Sequence, residues 1–323
     1  MNTKQKKGTE PVVTIRTDIS SISWPWLAAA SVALATIAIV VYYPSLSYDF
    51  QFDDLFNIKK FFALRSQTFK EWSFGGSRWI SYALNSLHYK LGKFEPFVYR
   101  RSNIFFHTST GILMFFVTYL CLQRFKQHAK IARHAFAIAC VTALLFLLHP
   151  VQTQTVSYII QGQLEGLALL CMMALALAYL LLQTTNSYAV KLVSLFMIIF
   201  FGIASCGTKE IAILSPIMLF LIDWFFIAQG NNKELKKHIL FFVGYIALIA
   251  LQYARYLDFT FLKNSITGQA TLPNNVGNVI TNSGQTINPV TFFMSQFKVI
   301  VHYITIFVWP FNISVDYDWK MVK

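Results

Sequence analysis

The feature that most constrains the fold is a series of apolar segments, each close to the roughly twenty residues that a helix needs to cross a bilayer. Windows of about nineteen residues place these segments at 24–44, 98–120, 134–149, 164–183, 190–206, 210–228 and 238–257, with a weaker candidate at 291–310. Lipid offers no partner to exposed backbone groups, so we expect helices. The sequence therefore predicts an all-α polytopic membrane protein with seven or eight spans.

The chain is predicted to form one membrane domain rather than several soluble ones. Only 13% of its residues are charged and 55% are hydrophobic, and a polytopic bundle grows by adding spans around a shared core. We expect a cytoplasmic N-terminal segment at 1–23, a transmembrane domain at 24–310 and a C-terminal tail at 311–323. Within the domain, 48–97 is the first outer loop and 258–290 the last large one.

Short segments rich in Lys and Arg indicate the cytoplasmic side of the membrane. Residues 1–23 and 123–134 contain four each and 229–238 contain three, whereas 150–163 contain none. We therefore expect a cytoplasmic N-terminus, in a bacterial inner membrane or an endoplasmic reticulum membrane. The net charge of +13 is divided among such loops, so we expect no nucleic-acid partner.

The segment 48–97 is predicted to lie outside although it carries seven Lys and Arg residues. It mixes these charges with Trp, Phe and Tyr, a composition typical of amphipathic helices at a membrane surface. A connection of this length usually has structure or function of its own. We expect amphipathic juxtamembrane helices in this first outer loop.

Three of the fourteen acidic residues lie in "SYDFQFDDLFN", residues 47–57. Asp49, Asp53 and Asp54 are expected at the outer membrane surface, where they could cap the next helix. Asp53 and Asp54 repel each other unless one binds a cation or takes a proton, and the same condition makes a carboxylate useful as a base. Two adjacent carboxylates are too few to define a divalent-cation site.

The second predicted span carries polar residues on one helical face. Arg100, Asn103 and His107 are spaced i, i+3 and i+7, so this face should point into the bundle. Arg100 also suits snorkelling near a helix end. His107 could be either a site residue or a packing histidine whose ring nitrogens have hydrogen-bond partners.

Polar residues interrupt the apolar pattern again further along the chain. His149 and Pro150 should end the third span, and Glu165, with no nearby cation in sequence, needs a partner from another helix. Lys209 and Glu210 are expected in the first turn of a helix. Such a pair suits phosphate binding or, more simply, a cap with a compensating charge.

The order of these features resembles the membrane domain of GT-C glycosyltransferases. The resemblance is strongest to the protein O-mannosyltransferases that target cadherins and their bacterial relatives, without the tetratricopeptide array. The matching pieces are "YDFQFDDLFNI", "SRWISYALNSLHYKLGKFEPFVYRRSNIFFHTSTGIL", "LLFLLHPVQTQTVSYIIQGQLEGLA", "GTKEIAILSPIMLFLID" and "FFMSQFKVIVHYITIFVWPFNISVDYDW". Together they cover nearly the whole chain, although each alone is weak evidence.

The resemblance implies a GT-C-like helical bundle that moves a sugar, with mannose as one candidate. The donor would be a polyprenyl-phosphate sugar, and the acceptor a hydroxyl of a protein Ser or Thr, or of a glycan, on the outer face. Asp53 and Asp54 match the acidic pair of the family, so one of them, with Asp53 favoured, is the candidate catalytic base.

The other family positions carry over as expected roles. Residues expected to bind the donor phosphate are Arg78, His107, His149 and Lys209. Residues expected to support the site are Asp49, Arg100, Asn103, Gln163, Glu165, Glu210, Asp316 and Asp318. Three positions depart from the family pattern: Trp79 replaces Pro, Gln163 replaces an Arg of animal members, and Thr208 replaces Ser.

Two other functions stay open. The first is a non-catalytic GT-C-like scaffold in a larger membrane complex, which the change at Gln163 favours. The second is a transporter of a lipid-linked sugar, which the lack of paired inverted halves disfavours. Membrane lipids are partners in each case, and a divalent cation at Asp53 and Asp54 is the one cofactor considered.

Overall fold

The computed structural model describes residues 23–72, 76–125, 129–254, 279–280, 286–287, 289–311, 313–314 and 317. Four features of the sequence prediction lie wholly or largely outside the described residues, namely the N-terminal segment, most of 258–290, Asp316 and Asp318. The described part of the chain is almost entirely helical. One antiparallel pair of two-residue strands, β1 and β2, accompanies the helices.

The α-helices are α1 Trp24–Tyr42, α2 Ala63–Ser66, α3 Phe69–Trp72, α4 Trp79–Gly92, α5 Pro96–Gln123, α6 Ala129–Arg133, α7 Ala135–Leu148, α8 Gln152–Ser157, α9 Ile159–Gln161, α10 Leu167–Thr184, α11 Tyr188–Cys206, α12 Ser215–Ile222, α13 Asn232–Lys237, α14 Ile239–Ala254 and α15 Pro289–Val308. The strands are β1 Val279–Ile280 and β2 Thr286–Ile287. Short 3₁₀ segments cover Tyr43–Ser47 and Glu210–Leu214, and π-helical segments cover Leu55–Lys59, Gly162–Gly166 and Asp223–Ile227.

Within the described residues, five continuous helical stretches are long and apolar enough to cross a membrane. They are Trp24–Ser47, Pro96–Gln123, Ile159–Thr184, Tyr188–Cys206 and Glu210–Ile227. The other predicted spans are also helical but shorter, at Ala135–Leu148, Ile239–Ala254 and Phe293–Val308. These five stretches confirm the prediction of a helical membrane protein.

Helix α5 is the centre of the fold, because α1, α7 and α10 all pack against it. Small side chains allow close approach, as at Ala139 and Ala143 of α7, which are completely buried. On the far side of α10, a second core joins α11 and α14 through Leu175, Ile198 and Tyr245. The helix before Pro150 ends at Leu148, as the sequence predicted.

The first long connection, residues 48–97, packs on the end of α5 through its own hydrophobic cluster. Ile58, Leu64 and Trp72 from the connection meet Tyr99 of α5 and Ile159. This cluster fixes the connection against the point where α5 and the helix after Tyr158 meet. The predicted helices of this segment are present as α2, α3 and α4.

Helix α4 buries its polar face and exposes its apolar one. Ser81, Asn85 and His88 are buried, whereas Leu87 and Leu91 are 50% and 62% exposed. Together with Ile80 and Leu84, the two exposed leucines form a stripe at helical spacing. An outward apolar stripe on a membrane protein is suited to contact with lipid.

A nitroxide label tests this orientation of α4. At Leu87→Cys, in the protein reconstituted into nanodiscs, we expect the label to collide more often with oxygen than with a water-soluble nickel chelate, because oxygen concentrates in lipid. A label at Glu95→Cys, exposed in the turn after α4, should show the reverse preference. Equal, water-like accessibility at both positions would show that the stripe faces solvent.

Candidate functional site

The two adjacent carboxylates of the first connection lie in different environments. Asp54 is completely buried, whereas Asp53 is exposed. The expectation that all three acids lie at the surface is therefore wrong for Asp54. Asp49 is exposed, accepts a hydrogen bond from its neighbour Phe50 N at 2.6 Å, and lies 3.7 Å from Lys59 Nζ.

Asp54 connects two distant parts of the chain through its carboxylate. Its Oδ1 accepts a hydrogen bond from Ile160 N at 2.8 Å and its Oδ2 accepts one from Gln51 N at 3.2 Å. Its side chain forms no helix-capping bond, so the capping interpretation does not hold. Burial raises the pKa of Asp54 to about 6, although these hydrogen bonds and the charge of Arg100 act in the opposite direction.

Asp53 is presented by an unusual backbone turn. The preceding residue, Phe52, has a φ of 43°, a left-handed conformation that is uncommon for an aromatic residue. Asp53 N donates a hydrogen bond to the Tyr158 hydroxyl at 2.8 Å, and the rings of Phe52 and Tyr158 meet edge to face at 6.2 Å. These contacts hold the exposed carboxylate at a fixed place beside Tyr158. Burial raises the pKa of Tyr158 well above its usual value, so its hydroxyl stays protonated.

Arg100 binds backbone instead of snorkelling. Its side chain is 1% exposed, and it donates to the carbonyl oxygens of Tyr48 (3.0 Å), Asp49 and Ser157. Its charge also faces Asp54. A buried cation with three carbonyl partners and a nearby carboxylate satisfies its hydrogen bonds and its charge without water.

Asn103 is the centre of a buried amide network. Its Nδ2 lies within hydrogen-bond distance of the carbonyl oxygens of Val156, Tyr158 and Ile159, at 3.2, 3.3 and 3.1 Å. Its Oδ1 accepts a hydrogen bond from Gln163 Nε2 at 2.6 Å. The two amides therefore hold the turn after α8 against α5.

The two predicted histidines bind helix-end carbonyls. His107 is 4% exposed, and its Nε2 donates to Leu147 O at 3.1 Å, the same oxygen that accepts from the Tyr42 hydroxyl at 3.1 Å. His149 Nε2 donates to Phe307 O at 2.9 Å, while its Nδ1 accepts from Val151 N at 3.3 Å. In this arrangement one ring nitrogen of His149 donates and the other accepts.

The two predicted cations are paired with acids. Arg78 binds Glu210 in a bidentate manner, with Nε to Oε1 and Nη2 to Oε2 both at 3.0 Å. Lys209 Nζ lies 2.8 Å from Glu165 Oε1, which supplies the partner that Glu165 requires. Lys209 is extended, with φ −150° and ψ 149°, and Glu210 begins a 3₁₀ segment. The placement of Lys209 inside a first helical turn is therefore wrong.

Most of the predicted site residues meet along residues 147–165. Asp54, Arg100, Asn103 and His107 all hydrogen-bond to its backbone, and Glu165 brings Lys209 to its end. Arg78 forms an ion pair with Glu210, the residue that follows Lys209 in the sequence.

Sequence reasoning missed three hydroxyl residues of this region. Tyr42 and Tyr158 bind Leu147 and Asp53 as described above, and Ser81 donates to Gln163 O at 2.6 Å. A signal for Ser81 was available, because it is a polar residue on the buried face of α4.

The described residues also contain a buried pair away from this region. Asp223 is completely buried, and its Oδ2 lies 2.9 Å from His238 Nδ1. The pair joins the π-helical segment at Asp223 to the start of α14. Within the described ranges, no group of three or more His, Cys, Asp or Glu residues could hold a metal ion.

Comparison of the sequence with known protein families, with curated proteins and with solved structures gave no match. The chemistry of the site must therefore be argued from its own geometry. It presents an accessible carboxylate, Asp53, whose backbone N–H is bound to a protonated phenol, Tyr158. It also contains two ion pairs, Lys209–Glu165 and Arg78–Glu210.

Glycine at position 162 is required by the amide network. A methyl group there would lie 2.1 Å from Asn103 Cγ, whereas at Gly166 it would lie 3.4 Å from Thr155 Cγ2. We expect Gly162→Ala to lower the free energy of unfolding by about 1–3 kcal/mol, the usual effect of overpacking. The matched control Gly166→Ala should be neutral or slightly stabilising, as measured by unfolding in detergent. Equal effects of the two substitutions would contradict the proposed packing.

The raised pKa of Asp54 predicts a pH-dependent stability. Its pKa is about 6 in the folded protein against an ordinary value of 3.8, so folding favours the protonated form. This contribution is fully present below pH 4 and is lost as the pH rises through about 6, on the order of 3 kcal/mol.

Thermal unfolding of the wild type and of Asp54→Asn between pH 4 and pH 7 measures this contribution. In the wild type we expect the unfolding temperature to fall as the pH rises through 6. This pH dependence should disappear in Asp54→Asn and persist in Asp53→Asn. The same slope in Asp54→Asn and in the wild type would show that Asp54 is not the titrating group.

Proposed function

We propose that this chain is a membrane glycosyltransferase of the GT-C type. It would move a sugar from a polyprenyl-phosphate donor to an acceptor hydroxyl on the outer face of a bacterial inner membrane or an endoplasmic reticulum membrane. In this proposal seven or eight segments cross the bilayer and the N-terminus is cytoplasmic. The observation that carries the proposal is the division of the acidic pair: Asp53 is exposed, with its backbone N–H bound to Tyr158, and Asp54 is buried and bound to Ile160 N.

The exposed position of Asp53 suits it to act as a general base. The acceptor oxygen attacks the anomeric carbon while its proton passes to the Asp53 carboxylate, and the bond from that carbon to the phosphate oxygen breaks. The leaving group is the polyprenyl phosphate. Asp54, whose two oxygens both accept backbone hydrogen bonds, would position Asp53 and take no proton from the acceptor.

The cation Lys209 would stabilise the negative charge that develops on the departing phosphate. Lys209 has three donors and uses one of its N–H groups on Glu165. Arg78 uses Nε and Nη2 on Glu210 and also interacts with the Tyr82 side chain, so the proposal assigns it a positioning role. The proposal assigns His107 and His149 a positioning role, since both ring systems bind backbone carbonyls.

The pairing of both cations favours one alternative, a non-catalytic scaffold of a membrane complex. In that case Arg78–Glu210 and Lys209–Glu165 only join α4, α10 and the segment before α12. The two functions differ in whether any donor is consumed.

A transfer assay with the purified protein separates these functions. With a set of polyprenyl-phosphate sugars and with protein and glycan acceptors, we expect Asp53→Asn to reduce transfer by about 10²–10⁴-fold, the usual contribution of a general base. Glu95→Gln, an exposed acid of the same connection outside the predicted site, should stay close to wild type.

Undiminished transfer by Asp53→Asn would remove Asp53 from the mechanism. If the wild type consumes none of the donors, the scaffold function replaces the transferase. The unfolding temperature of each variant is measured as well, so that a loss of transfer activity can be distinguished from a loss of folding.

A further inference from the structure

A cavity of about 530 Å³ lies next to the Arg78–Glu210 ion pair, within the range of roughly 300–1,000 Å³ typical of small-ligand sites. Its lining residues include Phe61, Glu71, Trp72, Arg78, Tyr82 and Glu210. Most of them belong to the first connection, outside the five long apolar stretches.

Three aromatic rings form one wall of this cavity. The ring centroids of Phe61 and Tyr82 are 5.5 Å apart, those of Trp72 and Tyr82 5.6 Å, and those of Phe61 and Trp72 6.0 Å. The rings touch one another, so no cation fits between them as it would in an aromatic cage. They present a continuous apolar surface instead.

Charged hydrogen-bonding groups line the cavity as well. Glu71 forms a capping box with Thr68, because its Oε2 accepts from Thr68 N and Glu71 N donates to the Thr68 hydroxyl at 3.4 Å. Its Oε1 has no hydrogen-bond partner among the described residues. The hydrogen bonds from Thr68 lower the pKa of Glu71, so it is ionised.

The charge of the cavity disfavours an anion. Glu71 and Glu210 outnumber Arg78 among the charged side chains of the lining, and Glu210 already neutralises Arg78. A phosphate would meet one unpaired carboxylate and no unpaired cation in this lining. A neutral ligand rich in hydroxyl groups fits better, because hydroxyls hydrogen-bond strongly to charged groups.

We propose that this cavity binds a neutral carbohydrate unit of the acceptor. A sugar ring has an apolar C–H face for the aromatic wall and hydroxyls for the Glu71 carboxylate. An extended peptide can also bind to an aromatic-lined groove, so a peptide is one of the probes in the test below. The role of this sugar as acceptor rests on the proposed transferase, whereas its binding does not.

Binding is tested with the full chain in nanodiscs by saturation-transfer NMR. The probes are the methyl glycosides of mannose, glucose and N-acetylglucosamine, a Thr-containing peptide and inorganic phosphate. At least one glycoside should bind, and Glu71→Gln should weaken it about tenfold through loss of a charged hydrogen bond. Gln keeps an oxygen for the cap with Thr68, and Glu95→Gln, an exposed acid of the same connection, should bind as wild type does.

The outcomes distinguish the site from the proposed function. Absence of glycoside binding, or equal binding by Glu71→Gln, overturns the carbohydrate site, and so does a peptide that binds while the glycosides do not. Displacement of the glycoside by a polyprenyl-phosphate sugar would make the cavity a donor site and overturn its acceptor role. Binding as predicted, in a protein that transfers no sugar, keeps the site and removes the transferase.

Discussion

The structure depends on how the backbone of residues 147–165 finds its hydrogen bonds. The chain leaves one apolar helix at Leu148, turns at Pro150 and starts the next long apolar stretch at Ile159. Such a break frees carbonyl and N–H groups that lipid cannot satisfy. Side chains from other parts of the chain supply the missing hydrogen-bond partners. Arg100 donates to Ser157 O, and Asp54 accepts from Ile160 N.

This constraint explains why polar side chains lie on one face of α5. Arg100, Asn103 and His107 each donate to a carbonyl of the broken segment, and together they hold it along almost two turns of the helix. The first connection is fastened to the same segment through Asp54 and Tyr158. The position of Asp53 is therefore a consequence of the packing that satisfies the break.

Much of this arrangement could be predicted from the sequence. The apolar segments predicted the helices, Pro150 predicted the end of α7, and the i, i+3, i+7 spacing predicted the buried face of α5. These signals are local, since they arise from periodicity or from the chemistry of one residue. Of the eight predicted segments, five are helical stretches long enough to cross a membrane and three are shorter apolar helices in the described part of the chain.

The sequence could not predict contacts made across the fold. The separate environments of Asp53 and Asp54 follow from Ile160, more than a hundred residues away. The pairing of Arg78 with Glu210 and of Lys209 with Glu165 also joins distant segments. Adjacent residues with identical chemistry, such as the two aspartates, carry no local signal of which one is buried.

Hydrogen–deuterium exchange in the variant Arg100→Gln tests the central claim most directly. Arg100 binds the carbonyls of Tyr48, Asp49 and Ser157, so its loss should speed amide exchange at residues 48–54 and 152–160 together. Exchange in α11, which has no hydrogen bond to Arg100, should stay as in the wild type. Faster exchange confined to α5 itself, with both distant segments unchanged, would show that the broken segment does not depend on these side chains.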